Sequence, residues 1–161
     1  MMAQLGRVVK PIALATVCIG ALYGSSGAIA ADIAQEAILA WNSHDPAKVA
    51  AMFTEDAIYE DTTLGVANHG TADIRKFAKQ FFDESPDGKF TVTSSFMEDG
   101  HGYAEWVMTG TDVGMFKTNK RYQVRGASIV QGSPEKLTHQ TDYWDMATLM
   151  KQLGALPEPP K

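Results

Sequence analysis

Apolar residues in the first part of the chain recur at the spacing of an amphipathic helix. The first stripe begins directly after Asp32, whose carboxylate suits the N-cap position. Its members follow the i, i+3, i+4, i+7 pattern of a single helical face: Ala34, Ala37, Ile38 and Trp41. The pattern therefore predicts a helix that buries this face.

A second, shorter helix and a strand are predicted next. Asp45 followed by Pro46 is a typical helix start, because the carboxylate caps the first turn and proline fits its first position. This helix is expected to bury Val49, Met52 and Phe53. A short strand is then predicted at 57–61 and a loop at 62–68.

A third helix closes the first half of the chain. Thr71 is expected to cap it. Its apolar stripe has helical spacing and consists of Ile74, Phe77, Ala78 and Phe81. The Pro-Asp-Gly sequence at 86–88 predicts the turn that follows it.

The second half of the chain has the pattern of strands. Four segments rich in β-branched and aromatic residues lie between turn signals, at 90–96, 103–111, 121–130 and 137–144. A last helix carries Met146, Leu149, Met150 and Leu153 on one face, and Gly154 is its expected stop. Helices followed by antiparallel strands predict an α+β fold with the helices on one side of a curved sheet.

The N-terminal segment has the order of a secretory signal. Arg7 and Lys10 precede a short apolar run at 12–22, and Ala28-Ile29-Ala30 forms a small-x-small cleavage site. This order predicts that 1–30 is a cleaved signal peptide and that the protein is secreted or periplasmic. The alternative is an uncleaved anchor or a buried core helix. The domain itself is expected at 31–154, with an extended or disordered tail at 155–161.

Charge and cysteine content narrow the function. Removing residues 1–30 leaves 161 − 30 = 131 residues and changes the formal charge from −5 to −7, because Arg7 and Lys10 are lost. An acidic chain without a basic stripe is a poor candidate for binding nucleic acid or an anionic membrane. The single cysteine, Cys18, would leave with the signal. No cofactor is expected, and the histidines lack metal-ligand spacing, so no metal site is expected either.

The element order and four local strings resemble the nuclear-transport-factor-2-like superfamily. The strings at 40–57 and 70–77 are similar to the opening and the third-helix start of that superfamily. The strings at 106–116 and 143–154 resemble its SnoaL-like polyketide cyclase branch. The resemblance implies a cone-shaped α+β barrel, a curved antiparallel sheet wrapped around the N-terminal helices with a deep pocket between them. It also implies a small-molecule ligand and a homodimer.

Asp142 is the first candidate catalytic residue. On an extended strand it shares a face with Gln140 and Trp144. Partial desolvation beside the tryptophan would raise the pKa of its carboxyl group and suit it to proton transfer near neutral pH. The SnoaL-like cyclases use an acidic residue on this strand as general acid and base. Their neighbouring strand carries a histidine where this chain has Ser128. In the alternative, Asp142 faces solvent or pairs with Arg121 or Arg125.

Asp61 is the second candidate, at the end of the first predicted strand. The segment 59–61, with Gly65 beyond it, resembles the ketosteroid isomerase segment in which an aspartate moves a proton next to a carbonyl. Those isomerases supply hydrogen-bond donors at positions that correspond to about Ala37 and Gly126 or Ala127 here. None of these side chains is a donor, so the isomerase reaction itself is not expected. An ordinary strand-end aspartate is the alternative.

A set of aromatic and polar residues is expected to line the pocket. The aromatic members pack the core in the simpler interpretation and shape a dry ligand site in the other. His69 is included because it precedes the third helix, where it could reach the rim near Asp61. The full ligand-binding set is Trp41, Tyr59, His69, Trp106, Tyr122, Ser128, Gln140 and Trp144.

Two functions follow from these residues. In the first, the protein is a cofactor-free cyclase or isomerase that moves a proton on an apolar, carbonyl-bearing ligand. In the second, it is a non-catalytic periplasmic binding or assembly module with the same fold. The first is the favoured interpretation, while Ser128 in place of the histidine, and the missing donors, are observations in favour of the second.

Overall fold

The computed structural model of the protein describes residues 32–156. The predicted signal segment at 1–30 and residues 157–161 of the predicted tail lie outside the described residues. Helices cover one face of a six-stranded sheet, so the predicted α+β class with a short C-terminal helix is confirmed.

The helices begin and end largely where the caps predict. Within residues 32–156 they are α1 (Ile33–Ala40), α2 (Pro46–Ala50), α3 (Gly70–Glu84) and α4 (Met146–Leu153), with a 3-10 turn at Trp41–Ser43 after α1. The Asp32 carboxylate accepts a hydrogen bond from the Gln35 amide at 2.8 Å, and Gly154 ends α4 with a φ of +75°, a conformation that glycine adopts without strain. None of these helices combines the length and the apolar character that crossing a bilayer requires.

The sheet is open, and its two edge strands are consecutive in the chain, joined by α3. Its strands are β1 (Phe53–Asp61), β2 (Val66–His69), β3 (Lys89–Glu98), β4 (His101–Thr111), β5 (Arg121–Gly132) and β6 (Leu137–Trp144). Their spatial order is β2-β1-β6-β5-β4-β3. Since β2 and β3 are both edges, the sheet does not close on itself as the predicted barrel would.

One strand pair differs in direction from the prediction. β1 and β6 run parallel, while the other neighbours in the sheet are antiparallel. The sheet is therefore mixed rather than wholly antiparallel. The two strands are separated by most of the domain, and the local pattern of a strand carries no information about the direction of such a distant partner.

The first strand and the segment after it also differ from the prediction. β1 begins at Phe53, which pairs with Leu137 of β6 instead of closing α2. Val66–His69 forms the edge strand β2 and pairs with β1, although 66–68 is predicted as part of a loop. Gly65 permits the tight turn between them with a φ of +69°. A four-residue edge strand is too short to produce a clear alternation in the sequence.

The N-cap of α3 lies two residues earlier than predicted. His69 occupies the N-cap position, and its side chain makes no capping hydrogen bond. Thr71 lies inside the first turn. The stripe of this helix is nevertheless as predicted, since Ile74 and Ala78 are fully buried against the rest of the core.

The opposite face of the sheet carries exposed apolar side chains. Phe96, Ile129 and Tyr143 retain 49%, 50% and 53% of their accessible surface. Phe96 lies beside Tyr103, with ring centroids 6.4 Å apart. This outer face supports the prediction of a homodimer, which stays a prediction.

Trp106 and Gly126 form a close cross-strand pair on the inner face. They are register partners in β4 and β5, and a Cβ atom added at position 126 would overlap the six-membered ring of Trp106. The ring is 3% exposed. Glycine at 126 therefore gives the indole the space it occupies against the sheet.

We expect Gly126→Ala to lower the free energy of unfolding by about 1–3 kcal/mol, because a buried methyl group would displace a packed ring. Trp106→Phe removes the ring atoms that the methyl would meet. In a double-mutant cycle measured by urea denaturation, Gly126→Ala should cost clearly less in the Trp106→Phe background. Equal cost in both backgrounds would contradict the packing described here.

Candidate functional site

A cavity lies between the inner face of the sheet and the helices. Its volume is about 90 Å³, which is small beside the ~300–1,000 Å³ of pockets for drug-sized ligands. The predicted aromatic residues that line it are Trp41, Tyr59, Trp106, Tyr122 and Trp144. Phe77, Phe81 and Phe90 complete the aromatic part of the wall. The site is thus compact and mostly apolar.

Asp142 lies at one end of this cavity and is 6% exposed. Its Oδ2 atom accepts a hydrogen bond of 2.6 Å from the Tyr59 hydroxyl. Its Oδ1 atom accepts hydrogen bonds from the Ser128 hydroxyl at 2.6 Å and from Nε2 of Gln140 at 2.9 Å. The alternative in which Asp142 faces solvent or pairs with an arginine does not occur.

Burial raises the pKa of the Asp142 carboxyl group from 3.8 to about 6. The hydrogen bonds from Ser128, Tyr59 and Gln140 oppose this rise because they favour the charged form, and the nearby charge of Asp61 adds to it. Burial also raises the pKa of the Tyr59 hydroxyl well above 10, with a further contribution from Asp142. Tyr59 therefore remains a hydrogen-bond donor at every physiological pH.

Asp61 is the second carboxylate at this end. It is 5% exposed, and its Oδ2 atom accepts a hydrogen bond of 2.9 Å from the indole Nε1 of Trp144. Its Oδ1 atom accepts one of 2.8 Å from the Leu64 amide. Burial raises the pKa of its carboxyl group, although both hydrogen bonds act in the opposite direction.

The parallel pairing of β1 and β6 brings the two carboxylates together. Asp61 and Asp142 are register partners across these strands, as are Tyr59 and Gln140. Side chains that are paired on neighbouring strands point to the same face of a sheet. A slip of either strand by one residue would place these side chains on opposite faces of the sheet.

Ser128 and Gln140 lie behind Asp142 and outside the cavity wall, and both are fully buried. Ser128 accepts a hydrogen bond of 3.0 Å from Nε1 of Trp106, so a chain of donors runs from the indole through the serine to the carboxylate. Oε1 of Gln140 is the one buried side-chain nitrogen or oxygen atom in the described part of the chain without a hydrogen-bond partner.

His69 is not brought to the site. It is exposed on β2, opposite Ile58 of β1, and does not line the cavity. The exposed members of the wall lie elsewhere and mark its mouth: Leu64, Gln80 and Met115. The prediction for His69 rests on its position before the third helix, and the pairing of β2 with β1 places His69 at the edge of the sheet instead.

A second polar group lies in the wall near the end of α3, and sequence reasoning missed most of it. The Tyr122 hydroxyl donates a hydrogen bond of 2.8 Å to Ser85, and both residues line the cavity. Asp112, in the loop after β4, accepts hydrogen bonds from the amides of Phe116 and Thr118. Although burial alone would raise it, the pKa of Asp112 is lowered by these backbone donors.

The Asp112 loop is fastened to the end of α3. The amides of Val113 and Gly114 donate hydrogen bonds to the Glu84 carbonyl at 3.0 and 3.2 Å. This contact positions Met115 at the cavity mouth. Nothing in the local pattern of 112–120 signals a wall-forming loop, because its contacts are to residues almost thirty positions earlier.

Within residues 32–156 no cluster of three or more His, Cys, Asp or Glu side chains has the arrangement of a metal site. The carboxylates of the cavity instead accept hydrogen bonds from hydroxyl, indole and amide groups. Chemically, this arrangement holds a carboxyl group of raised pKa against an apolar wall.

Comparison with known proteins identifies relatives by family and by fold. A family model described as "SnoaL-like domain" matches residues 34–138. A search of curated proteins finds no match. Many solved structures are similar, at identities that establish the fold alone.

Three solved structures illustrate this similarity. A hypothetical protein of ketosteroid isomerase-like fold from Catenulispora acidiphila DSM 44928, in complex with trimethylamine, is 22% identical with a TM-score of 0.70, covering 78% of this chain and 93% of that chain. A proposed SnoaL-like polyketide cyclase from Shewanella denitrificans OS-217 is 21% identical with a TM-score of 0.65, covering 77% and 96%. A phenazine biosynthesis-related protein from Pseudomonas aeruginosa is 14% identical with a TM-score of 0.67, covering 80% and 90%.

The raised pKa of Asp142 has a consequence for stability. A carboxyl group whose pKa is higher in the folded than in the unfolded state makes the protein less stable as pH rises from about 4 to about 6. The rise from 3.8 to about 6, at about 1.4 kcal/mol per pKa unit, corresponds to a loss of roughly 3 kcal/mol above pH 6. We expect Asp142→Asn to flatten this part of the stability profile measured by urea denaturation.

Asparagine should be tolerated at this position. Its oxygen can accept from Tyr59, and its amide can donate to Ser128 and, once the Gln140 amide turns over, to the unpartnered Oε1 atom. Asp142→Ala, which leaves three buried donors without an acceptor, should instead be destabilising by a few kcal/mol.

A pH titration followed by ¹⁵N NMR distinguishes the two carboxylates. The Trp144 indole signal should shift as Asp61 ionises, and the Trp106 indole signal should shift, through Ser128, as Asp142 ionises. An Asp142 carboxyl group with a pKa at or below 3.9, the usual aspartate value, would contradict the raised pKa described here.

Proposed function

The chain belongs to the SnoaL-like domain family, and from that premise we propose that it is a small-molecule protein that moves a proton on its ligand without a cofactor. The observation that carries the proposal is the buried Asp142 carboxyl group at the cavity wall, with its pKa raised to about 6. A base with such a pKa is half-ionised close to neutral pH and is therefore suited to general acid–base catalysis.

The geometry supports the following sequence of steps. The ionised Asp142 removes a proton from a carbon next to a ligand carbonyl. The electron pair of that C–H bond forms the C=C bond of an enolate, and the π pair of the carbonyl moves to its oxygen. The protonated carboxyl group then returns the proton to another carbon of the enolate system. In a ring closure the enolate carbon instead forms a C–C bond to a second carbonyl carbon of the ligand, and the proton goes to the oxygen of that carbonyl. No redox partner is needed, because the proton is only moved within the ligand.

Tyr59 is the donor that fits the developing negative charge. Its hydroxyl lies 2.6 Å from Oδ2 of Asp142, and its raised pKa keeps it protonated. When Asp142 takes up a proton, it becomes a weaker acceptor, and the Tyr59 hydroxyl can turn to the ligand oxygen. This donor, which lies on β1, would replace those at the isomerase-like positions, which carry none here.

The cavity favours a compact and mostly apolar ligand. Its volume of about 90 Å³ suits a ligand much smaller than a drug-sized molecule. The Catenulispora structure was solved with trimethylamine, a molecule of that size class. A small carbonyl compound is therefore a better candidate than an extended polycyclic one.

A non-catalytic binding module is the second candidate. Both Asp142 oxygens already accept hydrogen bonds, and Ser128 stands where the resembled cyclases have a histidine. In this alternative the same carboxylates and rings hold a ligand without transforming it.

Proton transfer can be tested without knowledge of the natural substrate. We expect the protein to catalyse α-deuteration of small cyclic ketones, such as cyclohexanone and 2-cyclohexenone, in D₂O at pH 7.5, followed by ¹H NMR. Asp142→Asn should slow the catalysed exchange by about 10²–10⁴-fold, the usual contribution of a general base.

Glu135→Gln is the matched control, because Glu135 is exposed on the turn before β6. It should retain the full rate. If ketones bind, as shown by shifts of the tryptophan indole signals, but exchange no faster than in buffer, the catalytic proposal fails and the binding module remains.

We propose further that the protein is exported after loss of residues 1–30. The first described residue, Asp32, caps α1 two residues after the expected cleavage site, so cleavage there removes none of the described residues. The protein isolated from its own host should begin at Ala31 by intact-mass analysis and be found in the periplasm or medium. A cell-associated chain that retains 1–30 would support the anchor alternative instead.

A further inference from the structure

The cavity wall has an unusual balance of charge. Of the residues that line it, four are carboxylic acids: Asp61, Glu84, Asp112 and Asp142. Among the described residues, no Lys, Arg or His side chain belongs to this wall. The cavity therefore carries negative charge without a protein cation to balance it.

The ion pairs of the protein do not neutralise these groups. Within residues 32–156 the ion pairs are Lys79–Asp83 and His139–Glu60, and none of these four side chains lines the cavity. The four acids of the wall accept hydrogen bonds from neutral donors, such as Trp144 to Asp61 and Gln80 to Glu84. Buried charges in proteins are ordinarily paired with an opposite charge.

The rest of the wall is suited to a cation of a particular kind. Eight aromatic side chains line the cavity, and several are in mutual contact, such as Trp41 with Tyr59 at 5.9 Å and Phe90 with Trp106 at 5.2 Å between ring centroids. The negative face of an aromatic ring attracts a cation, most strongly where water is excluded. A strongly hydrated metal ion would not use such rings, and the described acids do not form a metal cluster.

We propose that this cavity binds a small organic cation, an alkylated ammonium compound held between its carboxylates and its aromatic rings. The inference deepens the proposed function and rests on it only in using the same cavity. It adds a positive charge to the compact, apolar ligand described above. A compound with both an ammonium group and a carbonyl group would meet both requirements.

The pH dependence of binding follows from the groups that face the cavity. Asp112 is ionised because its pKa is lowered, and Tyr59 and Tyr122 stay neutral because burial raises theirs. The pKa values of Asp61 and Asp142 are both raised. A cation should therefore bind more tightly as these two groups lose their protons, roughly tenfold between pH 5 and pH 7 for a group with a pKa near 6.

Choline and 3,3-dimethyl-1-butanol form a matched pair of probes, since they share a shape and differ in charge. Titration calorimetry, with the tryptophan indole signals as a second measurement, should show choline binding at least tenfold more tightly at pH 7.5. Lowering the pH to 5 should remove most of this difference. Neither probe has a carbonyl group, so the result does not depend on catalysis.

Asp142→Asn and Asp61→Asn should each weaken choline binding several-fold and leave the neutral alcohol almost unaffected. Glu135→Gln should change neither. Equal affinity for the two probes, or choline binding that is indifferent to pH and to both variants, would overturn the proposal.

The outcome is separable from that of the proposed function. Choline binding without ketone exchange would support the cation site and contradict proton transfer. Ketone exchange dependent on Asp142, without preference for choline, would do the reverse.

Discussion

The site depends on one constraint, the burial of the Asp142 carboxylate among neutral donors from three strands. Tyr59 on β1, Ser128 on β5 and Gln140 on β6 all reach it, so the group holds the centre of the sheet in one register. The hydrogen bonds make its charge tolerable, while the loss of water keeps its pKa high. The carboxylate that fixes the register of the sheet is therefore also the group that we propose acts on the ligand.

The parallel pairing of β1 with β6 is what makes this arrangement possible. It sets Asp61 directly beside Asp142, and each carboxylate then accepts from a different set of donors. Two buried acids at neighbouring positions repel each other when both are ionised. The charge of such a buried pair changes near neutral pH, whereas a pair of surface carboxylates is already ionised there.

Much of this was readable in the sequence, and the limits have physical causes. Alternation along 137–144 correctly put Gln140, Asp142 and Trp144 on one face, since that pattern is set by the strand itself. The parallel direction of β1 and β6, the edge strand β2 and the distance of His69 from the site depend on contacts between distant segments. The Ser85, Tyr122 and Asp112 end of the cavity was missed for the same reason, apart from Tyr122, whose aromatic character and inward face were visible.

Packing alone does not call for a carboxylate at position 142. An asparagine would satisfy the same three neighbours, helped by the unpartnered oxygen of Gln140, and would avoid the cost of a buried charge. The aspartate makes the protein less stable above pH 6, where it is ionised. This loss of stability has a functional counterpart only when a ligand enters the cavity and either exchanges a proton with the carboxylate or places a positive charge beside it. The acidic, aromatic wall around it has no basic side chain among the described residues, and this supports the positively charged ligand that we propose.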